Sequence, residues 1–185
     1  MGFAVASTWA SLAGAVMLAD FVSGVVHWAE DAYARFKPVR KLPLINTIAL
    51  ENDLHHRRPR EFLARSWWAS SWDLALLGAL VLLAACWLDR MSLAVLLFVL
   101  LAVNANQIHK WTHRNPRENP RWVPLLQRCY LLQTPRHHGR HHHGEKNTHY
   151  CVVTNFLNPL LEEVGFWRRM EGLVERLLGR KASTT

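Results

Sequence analysis

The sequence predicts an all-α integral membrane protein with about three transmembrane helices, a histidine-rich helical cap and an amphipathic C-terminal helix. Three observations predict this fold class: long apolar stretches, basic residues confined almost entirely to two regions, and 11 histidines that lie in those regions or directly beside them. Half of the 185 residues are hydrophobic although the formal net charge is +8, which is unusual for a soluble domain. The length suits one domain, so we predict a single unit over residues 1–185.

The three apolar stretches have the length of membrane spans. A helix needs roughly 17–25 apolar residues to cross a bilayer, and we predict spans at about residues 3–27, 72–88 and 91–109. Only Asp89 and Arg90 separate the uncharged parts of the second and third stretches, which predicts a tight helical hairpin. A hairpin buried in a soluble protein is the alternative, but soluble helices usually carry a polar face. We expect no cleaved signal peptide, because the N-terminus lacks a basic segment.

The basic residues predict the orientation of the chain. Residues 28–70 contain eight Lys and Arg and residues 110–185 contain 13, while Arg90 is the remaining one. Three crossings place both regions on one side, which the positive-inside rule makes cytoplasmic. We therefore expect a cytoplasmic cap formed by residues 28–70 and 110–185, with an amphipathic helix at 160–180 on the membrane. The Ala-, Leu- and Arg-rich composition indicates a bacterial inner membrane, or the endoplasmic reticulum for a eukaryotic source.

The histidines have spacings typical of metal ligands on helices. His109 and His113 are four residues apart, and the HHxxHH run at 137–142 repeats that spacing. Imidazole suits zinc, copper, iron and nickel, but a structural zinc site usually includes cysteine, and the three cysteines form no CxxC pair. The number of histidines matches the ligand set of a two-iron centre. The nine candidate ligands are His27, His55, His56, His109, His113, His137, His138, His141 and His142.

Other polar residues accompany these histidines. Asp20 and Asp31 lie on the same helical stripe as His27, and Asn106 precedes His109 by one turn. A carboxylate inside a membrane is costly and usually functional, and Asp31 is placed to orient the His27 imidazole. Asp20, Asp31, Asn106 and His149 are therefore candidates to support the ligands or to act as additional ligands.

Histidine-held iron at a membrane surface indicates oxidation of alkyl chains. No side-chain acid or base can remove hydrogen from an unactivated C–H bond, whereas a metal with dioxygen can. The chain has no GxGxxG motif for a nicotinamide or flavin, so electrons must come from a separate donor. Two alternatives are a metal buffer or transporter that binds zinc or nickel and a nucleic-acid-binding protein. The histidines cluster at one face of the membrane, whereas a transporter would place them inside its spans. No base-reading motif accompanies the charge, so we expect no nucleic-acid partner.

Several motifs resemble the plasmanylethanolamine desaturase (Kua-type lipid desaturase) family. The similarity covers roughly residues 18–172, and its most specific part is NQIHKWxH at 106–113 followed by PRHHxxHH at 135–142. The pair at 55–56, the sequence PRW at 120–122 and GFWRR at 165–169 extend it. Leu54, Asn155 and the position of His149 depart from the family pattern and leave the substrate branch open.

The resemblance implies an iron- and oxygen-dependent enzyme that desaturates a lipid chain within a phospholipid. The best-known branch converts the 1-O-alkyl chain of plasmanylethanolamine into the vinyl ether of a plasmalogen, and a plastid branch acts on an acyl chain of phosphatidylglycerol. A hydroxylase shares the same ligand set. The resemblance assigns the nine histidines to two iron ions, dioxygen as cosubstrate, and a cytochrome-b5-type or ferredoxin donor with its reductase. We expect anionic headgroups or the donor to contact Arg57, Arg58, Arg168 and Arg169.

Overall fold

The computed structural model describes residues 2–36, 43–143, 148–179 and 181, and all regular secondary structure within them is helical. This confirms the all-α prediction. A single 3-10 turn at Pro116–Glu118 lies between the sixth and seventh of the α-helices. The α-helices are α1 (Gly2–Phe36), α2 (Pro43–Arg57), α3 (Pro59–Ala64), α4 (Trp67–Trp87), α5 (Leu93–Val103), α6 (Ala105–His113), α7 (Trp122–Arg128), α8 (Pro135–His143), α9 (Leu157–Glu163) and α10 (Phe166–Leu178).

Helices α1 and α4 are each long and apolar enough to cross a membrane, as are α5 and α6 taken together. The span within α1 runs over Ala6–Tyr33, and α4 begins at Trp67, about five residues before the predicted start. The earlier start has a local cause, since the Ser66 hydroxyl accepts a hydrogen bond from the Ala69 backbone at 3.1 Å and caps the helix. The membrane-crossing part of the prediction is confirmed.

The third span is bent rather than straight. Helices α5 and α6 meet at an angle of 49° at Asn104. The Asn104 side chain donates to the Leu100 carbonyl at 2.8 Å and accepts from the Trp67 indole at 3.0 Å. A side chain that enters the helical hydrogen-bond ladder is a recognised cause of a kink. The bend separates the apolar helix α5 from α6, which carries His109 and His113 and contacts α8.

The predicted hairpin of α4 and α5 is present, and α5 also packs along α1. Gly78 allows the two hairpin helices to approach closely. A Cβ atom at this position would lie 2.5 Å from the Val103 side chain and 3.0 Å from Val99. Small residues have the same role at helix contacts in membranes generally. Leucines such as Leu80, Leu83 and Leu96 remain exposed on the outer surfaces of the hairpin, as contact with hydrocarbon chains requires.

A non-helical segment at residues 150–154 crosses α1 and is buried against it. The Asp20 carboxylate accepts hydrogen bonds from the Val153 and Thr154 amides at 2.9 and 3.0 Å and from the Thr154 hydroxyl at 2.6 Å. The Ser23 hydroxyl accepts from the Val152 amide at 3.2 Å. Asp20 and Ser23, on one stripe of α1, therefore accept the backbone hydrogen bonds of a segment that forms no regular secondary structure.

The C-terminal region contains two helices where one was expected over residues 160–180. Helix α9 ends before Gly165, which adopts a left-handed conformation with φ of 60°. Helix α10 then places Trp167 in the core, where it is 1% exposed, while Arg168 and Arg169 are exposed. The amphipathic character predicted for this region is confirmed, and its break at Gly165 is a feature that the hydrophobic pattern did not reveal.

Candidate metal centre

Five histidines from three helices bring their ring nitrogens together. One ligand atom from each residue lies within 4.8 Å of the corresponding atoms of the others. Helix α2 contributes one of these residues, α6 two and α8 two, so the site forms only when the three helices meet. We call this set the five-histidine group: His55, His109, His113, His138 and His142.

The contacts within the five-histidine group fit a shared metal ion better than hydrogen bonds. The His138 Nε2 atom lies 2.8 Å from that of His109, 2.9 Å from that of His113 and 3.0 Å from that of His142. The Nε2 atoms of His109 and His113 are also 3.2 Å apart. A ring nitrogen that carries a proton donates and cannot also accept, so three Nε2 atoms in a closed triangle cannot all be joined by hydrogen bonds. Metal–nitrogen bonds of about 2.1 Å at right angles separate two ligand nitrogens by about 3.0 Å.

A second set of four residues lies beside the first. It consists of His27 and Asp31 from α1, His56 from α2 and His141 from α8, whose ligand atoms also lie within 4.8 Å of one another. We call it the Asp31 group. Asp31 Oδ1 is 3.1 Å from His56 Nε2, and Asp31 Oδ2 is 3.9 Å from His141 Nε2. Asp31, which the sequence indicated as a partner of His27, is therefore itself a candidate metal ligand.

Backbone carbonyls fix the tautomers of two histidines in the Asp31 group. His27 Nδ1 is 3.2 Å from the Tyr150 carbonyl, and His141 Nδ1 is 2.7 Å from the Thr148 carbonyl. A carbonyl only accepts, so each Nδ1 carries the proton and each Nε2 carries a free lone pair. Both Nε2 atoms are buried and lack a hydrogen-bond partner among the described residues. Metal-ligating histidines usually have this arrangement.

The electrostatics keep these imidazoles in the form that binds metals. Burial lowers the pKa of His138 and His141 well below the usual histidine value. Burial, with the neighbouring His113, lowers the pKa of His142 to about 2. The rings are therefore neutral near pH 7, with lone pairs available for a cation. Both ring nitrogens of His55 are buried without a partner in the described part of the chain, and a bound ion would remove this cost for one of them.

The two groups are neighbours because two helices contribute to both. Helix α2 supplies the consecutive residues His55 and His56, one to each group. Helix α8 places His141 in the Asp31 group and both His138 and His142 in the five-histidine group. The His27 ring centroid lies 5.2 Å from that of His109, which joins the groups directly. The arrangement can hold two metal ions side by side.

Eight of the nine predicted histidine ligands lie in these groups, and His137 is the exception. His137 Nε2 lies 3.2 Å from the Asn158 side-chain amide, and its ring packs on His149 with centroids 5.4 Å apart. His149 Nδ1 in turn lies 4.0 Å from Glu162. The structure gives both histidines neighbours outside the two groups. The spacing in the sequence could not show that His138 belongs to a ligand group and His137 does not, because each has a histidine four residues later.

Two further candidates have supporting positions. Asp20 holds the backbone of residues 153–154 and lies outside both groups. Asn106 donates to the Ser70 carbonyl at 2.5 Å, which ties α6 to α4. Lys110, which the sequence did not single out, strengthens this connection: its buried Nζ donates to the Arg65 carbonyl at 2.9 Å and to the Ser70 hydroxyl at 2.8 Å. Its position directly after His109, on the helix that carries two histidines of the five-histidine group, was the available signal.

The predicted arginine contacts lie on the surface of the cap. Arg57 pairs with Asp53, and Arg58 donates to Glu61 at 3.0 Å, both on exposed helix faces. Arg168 and Arg169 line an open groove on α10. Their contacts with headgroups or with a donor protein remain predictions.

An apolar cavity of about 550 Å³ leads to the metal centre. His27, His55 and His109 line it together with polar residues that lie within a turn of them on the same helices, such as Glu30 and Asn106. Further polar lining residues, among them Glu61, Arg65 and Asp73, lie at the same end, and most of the remaining lining comes from the membrane-spanning helices α1, α4 and α5 and is apolar. Representative residues of that part are Val22, Leu77, Val81, Phe98, Val99 and Val103.

Helices that can span a membrane, two histidine-rich groups that could hold metal ions and an apolar cavity that reaches them are the features expected of a membrane metalloenzyme. The chain belongs to the lipid desaturase family, whose domain model matches residues 16–185. The resemblance drawn from the histidine motifs is thereby confirmed. Membership makes the protein an oxidoreductase by family.

Relatives with assigned names support this placement. The chain is 35% identical over 171 residues to a probable fatty acid desaturase of Acanthamoeba polyphaga mimivirus, an alignment covering 89% of this chain and 81% of the relative. It is 31% identical to plasmanylethanolamine desaturase 1 of Mus musculus, covering 92% and 65% of the two chains. It is 30% identical to plasmanylethanolamine desaturase of Myxococcus xanthus, covering 94% and 63%. The chain thus spans less than two thirds of the last two relatives. No solved structure matches it significantly.

Proposed function

We propose that the protein is an oxygen-dependent lipid desaturase with two iron ions, one in the five-histidine group and one in the Asp31 group. The observation that carries this proposal is the apolar cavity that ends against His27, His55 and His109. A hydrocarbon chain in this cavity lies against the ligands of both groups. When bound, the iron ions would supply the dioxygen activation that removal of hydrogen from unactivated carbons requires.

The distribution of polarity along the cavity favours a reaction near the headgroup end of the lipid. Glu30 lies one turn beyond His27 on α1, and Asn106 lies one turn before His109 on α6. The apolar lining leads away from these residues into the spans. A phospholipid with its tail in the apolar part therefore has the carbons next to its glycerol beside the ligand groups. We infer that the substrate is plasmanylethanolamine, whose 1-O-alkyl chain becomes a vinyl ether, and two relatives are named for that substrate.

The residues of the chain position the ligands and exclude water. The Phe62 ring packs on His55 and His109 with centroids 4.9 and 5.3 Å apart. Tyr150 is fully buried, and its ring contacts His141 at 4.9 Å while its carbonyl orients His27. Water is thereby kept from the edges of both groups, which protects a reactive oxidant from side reactions.

The overall reaction requires a partner for electrons. Two hydrogens leave the lipid chain, and dioxygen is reduced to two waters with two further protons and two electrons. A cytochrome-b5-type or ferredoxin donor with its reductase supplies these electrons at the face that carries the cap. We place that face in the cytoplasm, at a bacterial inner membrane or at the endoplasmic reticulum, because the basic residues concentrate there.

Acyl-chain desaturation is a second candidate function. The mimivirus relative is named a probable fatty acid desaturase, and a relative from Arabidopsis thaliana, 30% identical over 174 residues, is named a chloroplastic fatty acid desaturase 4-like protein. The same cavity and ligand groups would accept an acyl chain, and hydroxylation of that chain uses the same ligands.

The lipids of a host with and without the gene test the proposal. Acid-labile vinyl ethers should appear with the wild-type chain and with His143→Ala, since His143 is exposed on α8 outside both groups. They should be absent with His141→Ala. A new acyl double bond or hydroxyl group without vinyl ethers would instead support the second candidate. Unchanged lipids together with bound zinc or nickel would support a metal-handling protein and overturn desaturation.

A further inference from the structure

The polar part of the cavity carries an excess of carboxylates. Among its described lining residues there is one arginine and no lysine, while four side chains are acidic. The arginine is Arg65, and the acidic residues are Glu30, Glu51, Glu61 and Asp73. Each of the four comes from a different helix, so the excess belongs to the cavity rather than to one helix face.

Two of these carboxylates have cationic partners on the protein. Glu51 pairs with Arg65, and Glu61 accepts from Arg58 at 3.0 Å. Glu30 and Asp73 have no basic partner within the described part of the chain. Asp73 only accepts a hydrogen bond from the neighbouring Leu74 amide at 2.9 Å. Glu30 and Asp73 are therefore the two acidic lining residues that are available to bind a cationic ligand.

These two carboxylates lie where a substrate headgroup must be. Glu30 is one turn from His27, which is 5% exposed, and the same cavity is lined by His55, which is 3% exposed. Both histidines have buried ring nitrogens without hydrogen-bond partners among the described residues, so this end of the cavity is the end where chemistry takes place. Asp73 lies one turn beyond Ser70, whose carbonyl accepts from Asn106 at the same end. A lipid whose reacting carbons reach His27 therefore brings its headgroup to Glu30 and Asp73.

We propose that Glu30 and Asp73 bind the ammonium of an ethanolamine phospholipid and give the enzyme its headgroup specificity. The inference rests on the proposed function for the position of the lipid in the cavity. An ammonium carries three N–H donors and one positive charge, which matches two carboxylates that lack a cation. A headgroup without a cation would leave both carboxylates unpaired in a site that the lipid closes to water, so an anionic glycerol headgroup is disfavoured.

Lipid binding to the purified full chain in detergent tests this specificity without turnover. The probes are a 1-O-alkyl-2-acyl phosphoethanolamine lipid, its N-acetyl derivative, which keeps the chains but removes the charge, and the matching phosphoglycerol lipid. Native mass spectrometry measures the three affinities on wild-type protein, Glu30→Gln, Asp73→Asn and the control Glu163→Gln, an exposed carboxylate on α9.

The wild-type chain and Glu163→Gln should bind the ethanolamine lipid at least about tenfold more tightly than the N-acetyl lipid, as expected for a charge-assisted contact shielded from water. Glu30→Gln and Asp73→Asn should each lower this ratio about tenfold or abolish it, and Glu30→Asp should restore part of it. A wild-type ratio near one overturns the proposal, as does a ratio that neither variant changes. The wild-type comparison needs no variant, so misfolding of a variant leaves the test intact.

Failure of this inference is distinguishable from failure of the proposed function. If all three lipids bind with equal affinities and are desaturated at similar rates, the proposed function would be supported and the headgroup site contradicted. If binding prefers the ethanolamine lipid and depends on Glu30, but the lipids of the host do not change, the headgroup site would be supported and the proposed desaturase function contradicted.

Discussion

Replacement of Gly24 by alanine should separate α1 from the segment that orients His27. A Cβ atom at position 24 would lie 2.6 Å from the Cys151 sulfur, 3.1 Å from the Cys151 amide nitrogen and 3.1 Å from the Trp167 ring. Contacts of 3.4–4 Å are ordinary for such an atom, so the sulfur would be at least about 0.8 Å too close. Cys151 has no room to retreat, because it is fully buried and its amide donates to Asn158 at 3.0 Å.

The magnitude follows from a matched comparison with Gly14→Ala. Gly14 lies on the same helix, and no atom comes within 4 Å of a Cβ placed there. Both substitutions gain about 1 kcal/mol of helix propensity, so this contribution cancels. Overpacking typically costs about 1–3 kcal/mol, which is the difference that we expect between the variants. The Tyr150 carbonyl would move with Cys151, so His27 would lose its orientation and the Asp31 group would bind metal more weakly.

Thermal unfolding in detergent, followed by tryptophan fluorescence, measures the first effect, and the metal content per chain measures the second. Gly24→Ala should unfold at a lower temperature than Gly14→Ala and should retain less metal. Identical melting curves and identical metal content for the two variants would refute the packing argument and the role assigned to the Tyr150 carbonyl.

Three other predictions concern the ligands, the membrane orientation and the cavity. His137→Ala should retain desaturation within about tenfold of wild type, whereas His138→Ala should abolish it, as lipid profiling would reveal; equal losses would contradict the ligand groups described above. In intact spheroplasts an impermeant maleimide should label Cys86, near the hairpin turn, and should label Cys129, on the cap, only after lysis; the reverse pattern would overturn the cytoplasmic assignment. Val81→Trp should fill the apolar end of the cavity and lower turnover of long alkyl chains about tenfold more than that of short chains. An equal loss for long and short chains would show that the alkyl chain of the substrate does not occupy this end of the cavity.

Cys151 is an internal control for the labelling experiment. It is fully buried, and burial raises the pKa of its thiol. The thiol therefore stays protonated at the pH of maleimide labelling and should remain unmodified before and after lysis. Labelling of Cys151 would indicate that the segment at 150–154 has detached from α1. Only preparations in which Cys151 remains unlabelled therefore report on membrane orientation.

The apolar helices and most members of the two histidine groups could be predicted from the sequence because they depend on local patterns. A bilayer requires a fixed length of apolar helix, so hydropathy located α1, α4 and the bent pair α5–α6, which are long and apolar enough to cross. Histidines four residues apart share a helix face, so spacing identified His109 with His113 and the pair His138 and His142. These features need no knowledge of how the helices pack.

The remaining features depend on contacts between distant parts of the chain. The bend at Asn104 depends on Trp67, 37 residues earlier. Asp20 binds backbone groups more than 130 residues later, so its role was not visible in a helical stripe. His137 and His138 differ only in which side of α8 meets α6, and Asp31 joins a ligand group because α2 folds back onto α1. Tertiary packing, rather than periodicity, decides each of these cases.

The metal content of the purified full chain tests the central claim most directly. Elemental analysis of protein from iron-supplemented cells should find about two iron ions per chain in the wild type and in the control His143→Ala, because two ligand groups are present. His141→Ala should retain about one, since it damages the Asp31 group alone. Zinc or nickel in place of iron, or two iron ions retained by His141→Ala, would contradict the account.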